Sequence, residues 1–354
     1  MEQNIRPILG VTIGDINGIG PEVILKTFQD KKFLKYCDVV IYGSSKVLSY
    51  YKKALNIEHF DYTIITDASQ LNNKQINVIN YSNDEAPLEP GKATLQAGDI
   101  ALKCIDMALA DLKEGKIDGI VTAPINKSTI KTPNKDFKGH TDYIRNYFGV
   151  AECMMLMVDE SMRIGLTTGH VAIKDLHKFI DTKNILSKIE ILNKSLTEDF
   201  LINKPKIAVL SLNPHAGEDG IIGKEEQDFI NPAISAAKDK GILAFGSYAS
   251  DGFFGASQFT KFDGILAMYH DQGLIPFKSY AFETGVNYTA GLPIVRTSPD
   301  HGTAYDLVGK NIASSGSMEN AVFIAIDVIR NRMNFKQMHE NPLKRSNISS
   351  DQMA

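Results

Sequence analysis

The sequence predicts an α/β protein in which helices cover both faces of a mostly parallel β-sheet. Short apolar runs bounded by Gly, Asp or Pro alternate with segments of helical periodicity through most of the chain. The runs are apolar at consecutive positions, which is typical of strands buried on both faces. The chain has 354 residues, 43% of them hydrophobic, which is long for one compact layer system, so two lobes are expected.

The predicted strands and helices follow one another along the chain. Six apolar runs are predicted as strands: Ile8–Ile13, Val39–Tyr42, Gly119–Thr122, Met154–Val158, Ile207–Leu212 and Gly264–Met268. Four segments are predicted as helices: Pro21–Phe28, Thr94–Leu112, Lys224–Lys240 and Met318–Met333. Pro21 at a first-turn position, with Glu22 directly behind it, is typical of a helix start.

Two stretches of the sequence are candidates for crossings between the lobes. The first is the polar stretch of residues 126–139, and the second lies near residues 285–293. They predict a discontinuous first lobe made of residues 1–135 and 291–354. The second lobe is then residues 136–290, and it carries most of the candidate ligands described below.

Composition narrows the classes of function. The net charge is −4 and no basic stripe is present, so nucleic acid is not an expected partner. The N-terminus does not resemble a signal peptide, and no apolar run approaches the ~20 residues that span a bilayer. Cys37, Cys104 and Cys153 lie in apolar contexts and are interpreted as small core residues in a reducing compartment. We therefore expect a soluble, cytoplasmic protein without a membrane partner.

Three histidines follow predicted strands and form the strongest functional signal. His170 ends LTTGH, His215 lies in LSLNPHAGE, and His270 lies in ILAMYHDQG. In an open α/β sheet, ligands bind beyond the carboxyl ends of the strands. Three neutral imidazoles at one such edge would make a metal site with an open position, which is the arrangement of a catalytic centre.

A structural role competes with the metal interpretation, since any one of these histidines alone is more often a hydrogen-bonded structural residue. Because all three histidines follow predicted strands, a ligand site that the fold assembles is the favoured interpretation. Asn213 and Glu218 near His215, and Asp271 next to His270, are candidates for orienting the imidazoles. Such a set suits Zn²⁺, and also Co²⁺ or similar divalent ions.

Two glycine-containing motifs are candidates for anion binding. Residues 14–22 (GDINGIGPE) join the first strand to a helix and offer free N–H groups, but a plain turn is an equally good interpretation. They match neither the dinucleotide fingerprint nor a P-loop. In the second motif, residues 139–143 (GHTDY), Thr141 after His140 can cap a helix and donate to a phosphate oxygen, although an ordinary cap would be favoured for this motif alone.

Single polar residues also interrupt the apolar segments toward the C-terminal end of the chain. Lys278, Asn287 and Arg296 each lie within or at the end of an apolar stretch. Cations that point inward from such stretches usually meet a carboxylate or a phosphate, and the alternative is a solvated surface charge. Residues 300–310 (DHGTAYDLVGK) have the composition of a loop leading into a helix and can wrap a nucleotide, which by itself is a weak signal.

Taken together, these segments resemble the 4-hydroxythreonine-4-phosphate dehydrogenase family of pyridoxal phosphate biosynthesis. The resemblance rests on GDINGIGPE, VTAPINK, GHTDYI, NPHAGEDG, AMYHDQGLIPFK, GLPIVRTS and DHGTAYDLVGK, and runs from Gly10 to about Ala325. The first and last of these motifs are also similar to the wider isocitrate/isopropylmalate dehydrogenase superfamily. That likeness implies a two-lobed α/β/α fold with the active site in the cleft between the lobes.

The family resemblance also implies a homodimer whose active site draws metal ligands from both subunits. The implied metal ligands are His170, His215 and His270, and the implied substrate contacts are His140, Thr141, Lys278, Asn287 and Arg296. The implied metal is Zn²⁺, with Mg²⁺ or Co²⁺ as alternatives. The implied cofactor is NAD or NADP, and the segment from His301 to Asp306, with Gly302, is its candidate contact.

The implied reaction is oxidation of 4-phosphooxy-L-threonine at C3, followed by decarboxylation to 3-amino-2-oxopropyl phosphate. Asp251, Asp271 and Lys278 are candidates for the proton acceptor, and Asp251 is preferred. Asp15-Ile16-Asn17-Gly18 replaces the Asp-Pro-Ala-Gly of many family members, and Glu283 is acidic where relatives often are not. A dehydrogenase of another phosphorylated hydroxy acid, a metal-dependent hydrolase and a non-catalytic phospholigand-binding protein remain alternatives.

Overall fold

A computed structural model describes residues 6–82, 88–132, 135–136 and 138–340. Among these residues, twelve strands form one sheet in the order β11-β10-β12-β9-β8-β13-β14-β5-β1-β2-β4-β3, and β6 and β7 form a separate antiparallel pair. The strands are β1 Ile8–Thr12, β2 Asp38–Gly43, β3 Tyr62–Ile65, β4 Ile76–Asn80, β5 Gly119–Thr122, β6 Lys131–Thr132, β7 Lys135–Asp136, β8 Met154–Val158, β9 Arg163–Leu166, β10 Lys206–Leu210, β11 Leu243–Tyr248, β12 Gly264–Ala267, β13 Val286–Ala290 and β14 Val295–Pro299.

Helices lie between most of these strands. They are α1 Gly20–Phe28, α2 Ser45–Ala54, α3 Leu95–Lys113, α4 His140–Tyr147, α5 Thr182–Glu198, α6 Asn231–Asp239, α7 Ser250–Gly255, α8 His270–Ala281 and α9 Gly316–Glu340. Side-chain caps start three of the helices, since Ser44, Thr94 and Asp181 accept hydrogen bonds from backbone amides at the starts of α2, α3 and α5. The predicted α/β class and all six predicted strands are confirmed, with ends that shift by one or two residues.

The sheet consists of two parallel halves that point in opposite directions. Strands β9, β12, β10 and β11 are parallel neighbours, and so are β14, β5, β1, β2, β4 and β3. Antiparallel pairing joins β9 to β8, β8 to β13 and β13 to β14. The carboxyl ends of the two halves therefore lie at opposite edges, and the reversal occurs in the middle of the sheet.

The chain returns to its first half late in the sequence. Strand β14 pairs with β5, so it lies beside the N-terminal strands, whereas β13 pairs with β8 in the other half. This order agrees with a discontinuous first half. The lobe boundaries at residues 135 and 291 remain predictions, and residues 1–5 and 341–354 of the predicted first lobe lie outside the described residues.

Helices pack on both faces of the sheet. On one face, Tyr42 donates to Asp111 of α3, and Gly273 of α8 lies against Ile164 and Leu166. On the other face lies α9, whose Ala321 carbonyl accepts a hydrogen bond from the Thr297 hydroxyl. In the described residues, no helix combines the length and the apolarity needed to cross a membrane.

Three segments differ from the sequence-based expectation. Helix α8 spans Pro276, which lacks an N–H and usually argues against a helix interior, so no helix was predicted there. The predicted helix Lys224–Lys240 begins instead with a π-helical turn at Glu226–Ile230 before α6. Residues 300–310 contain only the short 3₁₀ turn Tyr305–Leu307, and the next helix begins at Gly316.

Substitution of Gly98 tests the close contact between α3 and the segment after β5. A Cβ atom at Gly98 would collide with the carbonyl oxygen of Thr129, so we expect Gly98→Ala to lower the free energy of unfolding by about 1–3 kcal/mol. Gly252→Ala in α7 is the matched control, because no atom lies within 4 Å of that position. Thermal unfolding of both variants measures the difference, and equal melting temperatures would contradict the close contact.

Candidate active site

The three strand-end histidines lie after three neighbouring strands. His270 begins α8 shortly after β12, while His170 follows β9 and His215 follows β10. The strand order β10-β12-β9 places His270 between the other two. Because these strands are parallel, all three histidines come from the same edge of the sheet, as the sequence predicted.

Two of these histidines are in direct contact. The ring centroids of His170 and His270 are 5.4 Å apart. The Asp271 carboxylate lies 2.7 Å from Nδ1 of His270, so Nε2 is the nitrogen that remains for a ligand. Burial lowers the pKa of His170, and the positive charge of Lys127 and the neighbouring His270 lower it further. Neutral imidazole is the form that binds a metal ion.

His215 lies outside this pair. It is exposed and adopts a left-handed backbone conformation with φ of 51°, at the start of a run of positive φ angles that extends to Asp219. Asn213 does not orient it, since the Asn213 amide donates to Glu225 and Glu226. Within the described residues, no group of three or more His, Cys, Asp or Glu side chains is placed to hold a metal ion. The single chain therefore assembles two of the three predicted ligands.

A buried arginine lies where the two halves of the sheet meet. Arg296 of β14 is 3% exposed, and it donates from Nη2 to Thr122 Oγ1 at 2.8 Å and from Nη1 to Thr289 Oγ1 at 3.2 Å. Among the described residues, no carboxylate forms an ion pair with it. Burial lowers the pKa of Arg296 to about 10, which leaves it charged at neutral pH. A buried cation held only by hydroxyl groups is suited to binding an anion.

The start of α4 lies next to this arginine. His140 is the first residue of α4, and its Nε2 is buried without a hydrogen-bond partner in the described residues. Burial lowers the pKa of His140 well below its usual value, and the charges of Arg296 and Lys127 act in the same direction. The cap is Gly139, so Thr141 does not cap the helix as proposed but lies in its first turn. The helix N-terminus, Lys127 and Arg296 together make this region attractive to an anion.

The predicted substrate residues Lys278 and Asn287 lie on two further elements. Lys278 of α8 forms a 3.0 Å ion pair with Asp300, just after β14. Burial raises the pKa of Asp300, opposed by Lys278 and then by His301 and His270, so these charges are close neighbours. Asn287 of β13 has a buried Oδ1 without a hydrogen-bond partner in the described residues. Its free acceptor suits a donor on a bound molecule.

The remaining predicted residues are mostly exposed. Asp251 lies in the first turn of α7, just after β11, the next strand outward from β10, and it is exposed. Gly302 and Asp306 are also exposed, whereas His301 is partly buried with its Nε2 unpaired in the described part of the chain. Burial lowers the pKa of His301.

The first glycine-containing motif uses its N–H groups within the protein. The Asp15 amide donates to the Pro124 carbonyl, and the Ile19 amide donates to the Thr303 carbonyl at 3.0 Å. The Gly18 amide donates to the Asp15 carbonyl. These amides are not free for an anion, and the interpretation as a packed strand–helix turn fits the structure better.

Comparison with known proteins identifies the family. A family model described as pyridoxal phosphate biosynthetic protein PdxA matches residues 35–325. The chain belongs to the PdxA family. The 4-hydroxythreonine-4-phosphate dehydrogenase of Bacteroides thetaiotaomicron is 48% identical over 347 residues, which cover 98% of this chain and 94% of that protein. The corresponding protein of Prosthecochloris aestuarii is 39% identical over 91% of this chain and 97% of its own.

A solved PdxA-family structure has the same fold. The crystal structure of 4-hydroxythreonine-4-phosphate dehydrogenase from Klebsiella pneumoniae superposes with a TM-score of 0.81 at 32% identity. The superposition covers 91% of this chain and 99% of that chain. The architecture described above is thus that of the family over nearly its whole length.

Four site residues were not predicted from the sequence. Thr122 and Thr289 hold Arg296, Lys127 lies beside Gly139, and Asp300 pairs with Lys278. Thr122 and Lys127 lie in the motif VTAPINK and Asp300 lies in DHGTAYDLVGK, so their position in family motifs was a usable signal. The two threonines lie in apolar strands, and only the pairing of β13, β14 and β5 shows that they meet Arg296.

Arg296, which is buried, can be compared with Arg332, which is partly buried and paired with a carboxylate. Arg332 pairs with Asp199 at 2.6 Å, so Arg332→Met should lower the free energy of unfolding by about 3 kcal/mol by leaving that carboxylate unpaired. Arg296→Met removes a cation without a carboxylate partner, and we expect a change within about 1 kcal/mol. Inorganic phosphate should raise the melting temperature of the parent protein but not of Arg296→Met. A phosphate effect that survives the substitution would contradict the anion site.

The buried His140 predicts a dependence of stability on pH. Because its pKa is lowered in the folded protein, the unfolded chain takes up the proton first as the pH falls. This contribution to stability is present above the unfolded pKa of about 6.5 and is lost as the pH falls below it. The melting temperature of His140→Gln should therefore fall less than that of the parent between pH 7 and pH 5. His59→Gln, at an exposed position, is the control and should follow the parent.

Proposed function

We propose that this protein oxidises 4-phosphooxy-L-threonine at C3 with NAD or NADP and decarboxylates the product to 3-amino-2-oxopropyl phosphate. Membership of the PdxA family supports the reaction class. The observation that carries the proposal is the unpaired, buried Arg296 beside His140 at the start of α4, in the region that also contains the contacting His170 and His270. An anion site and a pair of contacting imidazoles suit a phosphorylated substrate and a divalent metal.

The anionic groups of the substrate fit the cationic region around Arg296. We assign the phosphate to His140, Thr141 and Arg296, since the first turn of α4 adds its backbone N–H groups there. Lys278 is already paired with Asp300, so it is better placed to orient a polar group of the substrate than to neutralise the phosphate. Asn287 has an unused acceptor that suits the amino group or the hydroxyl group of the substrate.

His170 and His270 fit a divalent metal. The His170 imidazole is held neutral by its lowered pKa, and Asp271 orients the His270 ring. We assign the third position to His215, and the homodimer implied by the family resemblance offers a second copy of the chain to complete the set. Zn²⁺ is the preferred ion, with Mg²⁺ or Co²⁺ as alternatives. The metal, when bound, supplies a Lewis acid for the substrate hydroxyl group.

NAD or NADP, when bound, supplies the acceptor for the hydride from C3. We assign its contacts to His301, Gly302 and Asp306, because the Lys278–Asp300 ion pair joins that segment to α8. Asp251 is the proposed acceptor of the hydroxyl proton, with Asp271 and Lys278 as alternatives. Oxidation places a ketone β to the carboxylate, which leaves as CO₂, and C2 then takes up a proton. The homodimer and a cytoplasmic location are parts of the same proposal.

The test is formation of reduced nicotinamide, followed at 340 nm with NAD or NADP and 4-phosphooxy-L-threonine. We expect activity that a chelator removes and that an added divalent metal restores. His270→Ala should lower kcat/KM by at least about 100-fold, because it removes an imidazole that neighbouring groups orient. His177→Ala, an exposed position outside the site, is the matched control and should keep the parent rate.

Each contrary outcome points to a different class of protein. Turnover without a nicotinamide would indicate a metal-dependent hydrolase. Reduction of NAD with another phosphorylated hydroxy acid, but not with this substrate, would indicate a related dehydrogenase. Binding of the substrate without any turnover, in folded and metal-loaded protein, would indicate a phospholigand-binding protein.

A further inference from the structure

The loop between β14 and α9, residues 300–315, contains the proposed nicotinamide contacts. Its only helical turn in the described structure is Tyr305–Leu307, and three of its residues, Ala304, Gly309 and Asn311, have positive φ angles. Residues 309–312 are exposed. A loop of this kind keeps one conformation only when contacts from elsewhere determine it.

One end of this loop is held by the turn after β1. The Tyr305 hydroxyl donates to Asp15 Oδ2 at 2.6 Å and accepts a hydrogen bond from the Asn126 amide at 3.1 Å. Asp15 is fully buried, and the Asn17 amide donates to its other oxygen at 2.9 Å. Burial raises the pKa of Tyr305 to about 12, with Asp15 acting in the same direction, so the hydroxyl keeps its proton at neutral pH.

The same turn also contacts the backbone of the loop. The Ile19 amide donates to the Thr303 carbonyl at 3.0 Å. A Cβ atom at Gly18 would lie 2.9 Å from that carbonyl oxygen, so glycine is what allows the two segments to approach. Backbone and side-chain contacts therefore hold residues 303–305 against the turn.

The other end of the loop is held by the first helix. Glu22, which is fully buried, accepts a hydrogen bond from the Ala313 amide at 3.1 Å. Lys26 donates to the Ala313 carbonyl and to Glu22, both at 2.8 Å. The amide and the carbonyl of Ala313 therefore both form hydrogen bonds with side chains of α1. The two carboxylates of residues 14–22, Asp15 and Glu22, therefore hold the two ends of one loop.

We propose that Asp15 and Glu22 are positioning residues that hold the β14–α9 loop in the conformation that binds the dinucleotide. This inference rests on the proposed function, because it takes the loop to be the nicotinamide contact. If only a fraction of the molecules has the loop in the binding conformation, the apparent dissociation constant rises by the inverse of that fraction. Loosening either end therefore weakens dinucleotide binding without removing any group that touches the cofactor.

Tyr305→Phe is the sharpest test, because it removes one hydroxyl and keeps the ring. The dissociation constants of NADH and NADPH can be measured by nicotinamide fluorescence, and the chain contains no tryptophan to interfere. We expect an increase of about tenfold for the dinucleotide that the parent binds, the size expected for loss of a hydrogen bond to a charged group. The dissociation constant of inorganic phosphate should stay unchanged. Amide hydrogen exchange of residues 303–313 should increase in the ligand-free variant.

Tyr42→Phe is the matched control, since it removes a 2.7 Å hydrogen bond from a tyrosine to Asp111 in the same half of the sheet. It should affect stability but neither the dinucleotide affinity nor the exchange of the loop. A second pair of variants separates the loss of the Asp15 charge from the loss of its hydrogen-bond acceptor. Asp15→Asn keeps an acceptor for Tyr305 and should bind the dinucleotide more tightly than Asp15→Ala.

The outcomes separate this inference from the proposed function. A parent protein that binds neither NADH nor NADPH refutes the cofactor assignment before any substitution is made, and the inference falls with it. A parent that binds, together with a Tyr305→Phe variant of equal affinity, overturns the inference alone. Unchanged exchange of residues 303–313 would also overturn it, because the loop would then keep its conformation without this contact.

Discussion

The candidate site is organised around one buried charge placed where the two halves of the sheet meet. Arg296 lies on β14, between β5 of one half and β13 of the other, and its guanidinium bonds a threonine from each. A buried cation without a carboxylate is costly, and hydroxyl groups compensate for only part of its lost hydration. The fold carries this cost at the junction of its two halves, and a cation held in this way favours an anionic ligand.

The polar residues around this arginine share one face of the sheet. Register and alternation place Thr12, Thr122, Thr289 and Asn287 on the same face as Arg296. The opposite face of β14 packs on α9, where Thr297 bonds the helix backbone. At β14, one face therefore packs on α9 and the other carries the polar side chains, where the buried Asn287 Oδ1 has no hydrogen-bond partner among the described residues.

The site is only partly predictable from the sequence, and the reason is physical. A histidine after an apolar run is a local pattern, and the order of parallel strands then brings His170 and His270 together. The threonines around Arg296 depend on strand register, which no local pattern contains. His215 is the first of a run of residues with positive φ angles, and Pro276 lies inside the helix whose N-terminus carries His270, so local patterns predicted neither feature. Six of the fourteen strands in the described residues were predictable because each is a short apolar run, whereas the reversal of direction at β8, β13 and β14 depends on pairing across the sheet.

That reversal also determines how the molecule can deform. The two halves are joined through β8, β13 and β14, whose backbones are linked by hydrogen bonds across the middle of one continuous sheet. A pair of lobes connected by free linkers can swing apart as rigid bodies, but lobes that share a sheet can move only by changing its twist. We therefore expect the two halves to move relative to each other mainly through a change in sheet twist about the central strands, and Arg296 on β14 lies near the axis of such a motion.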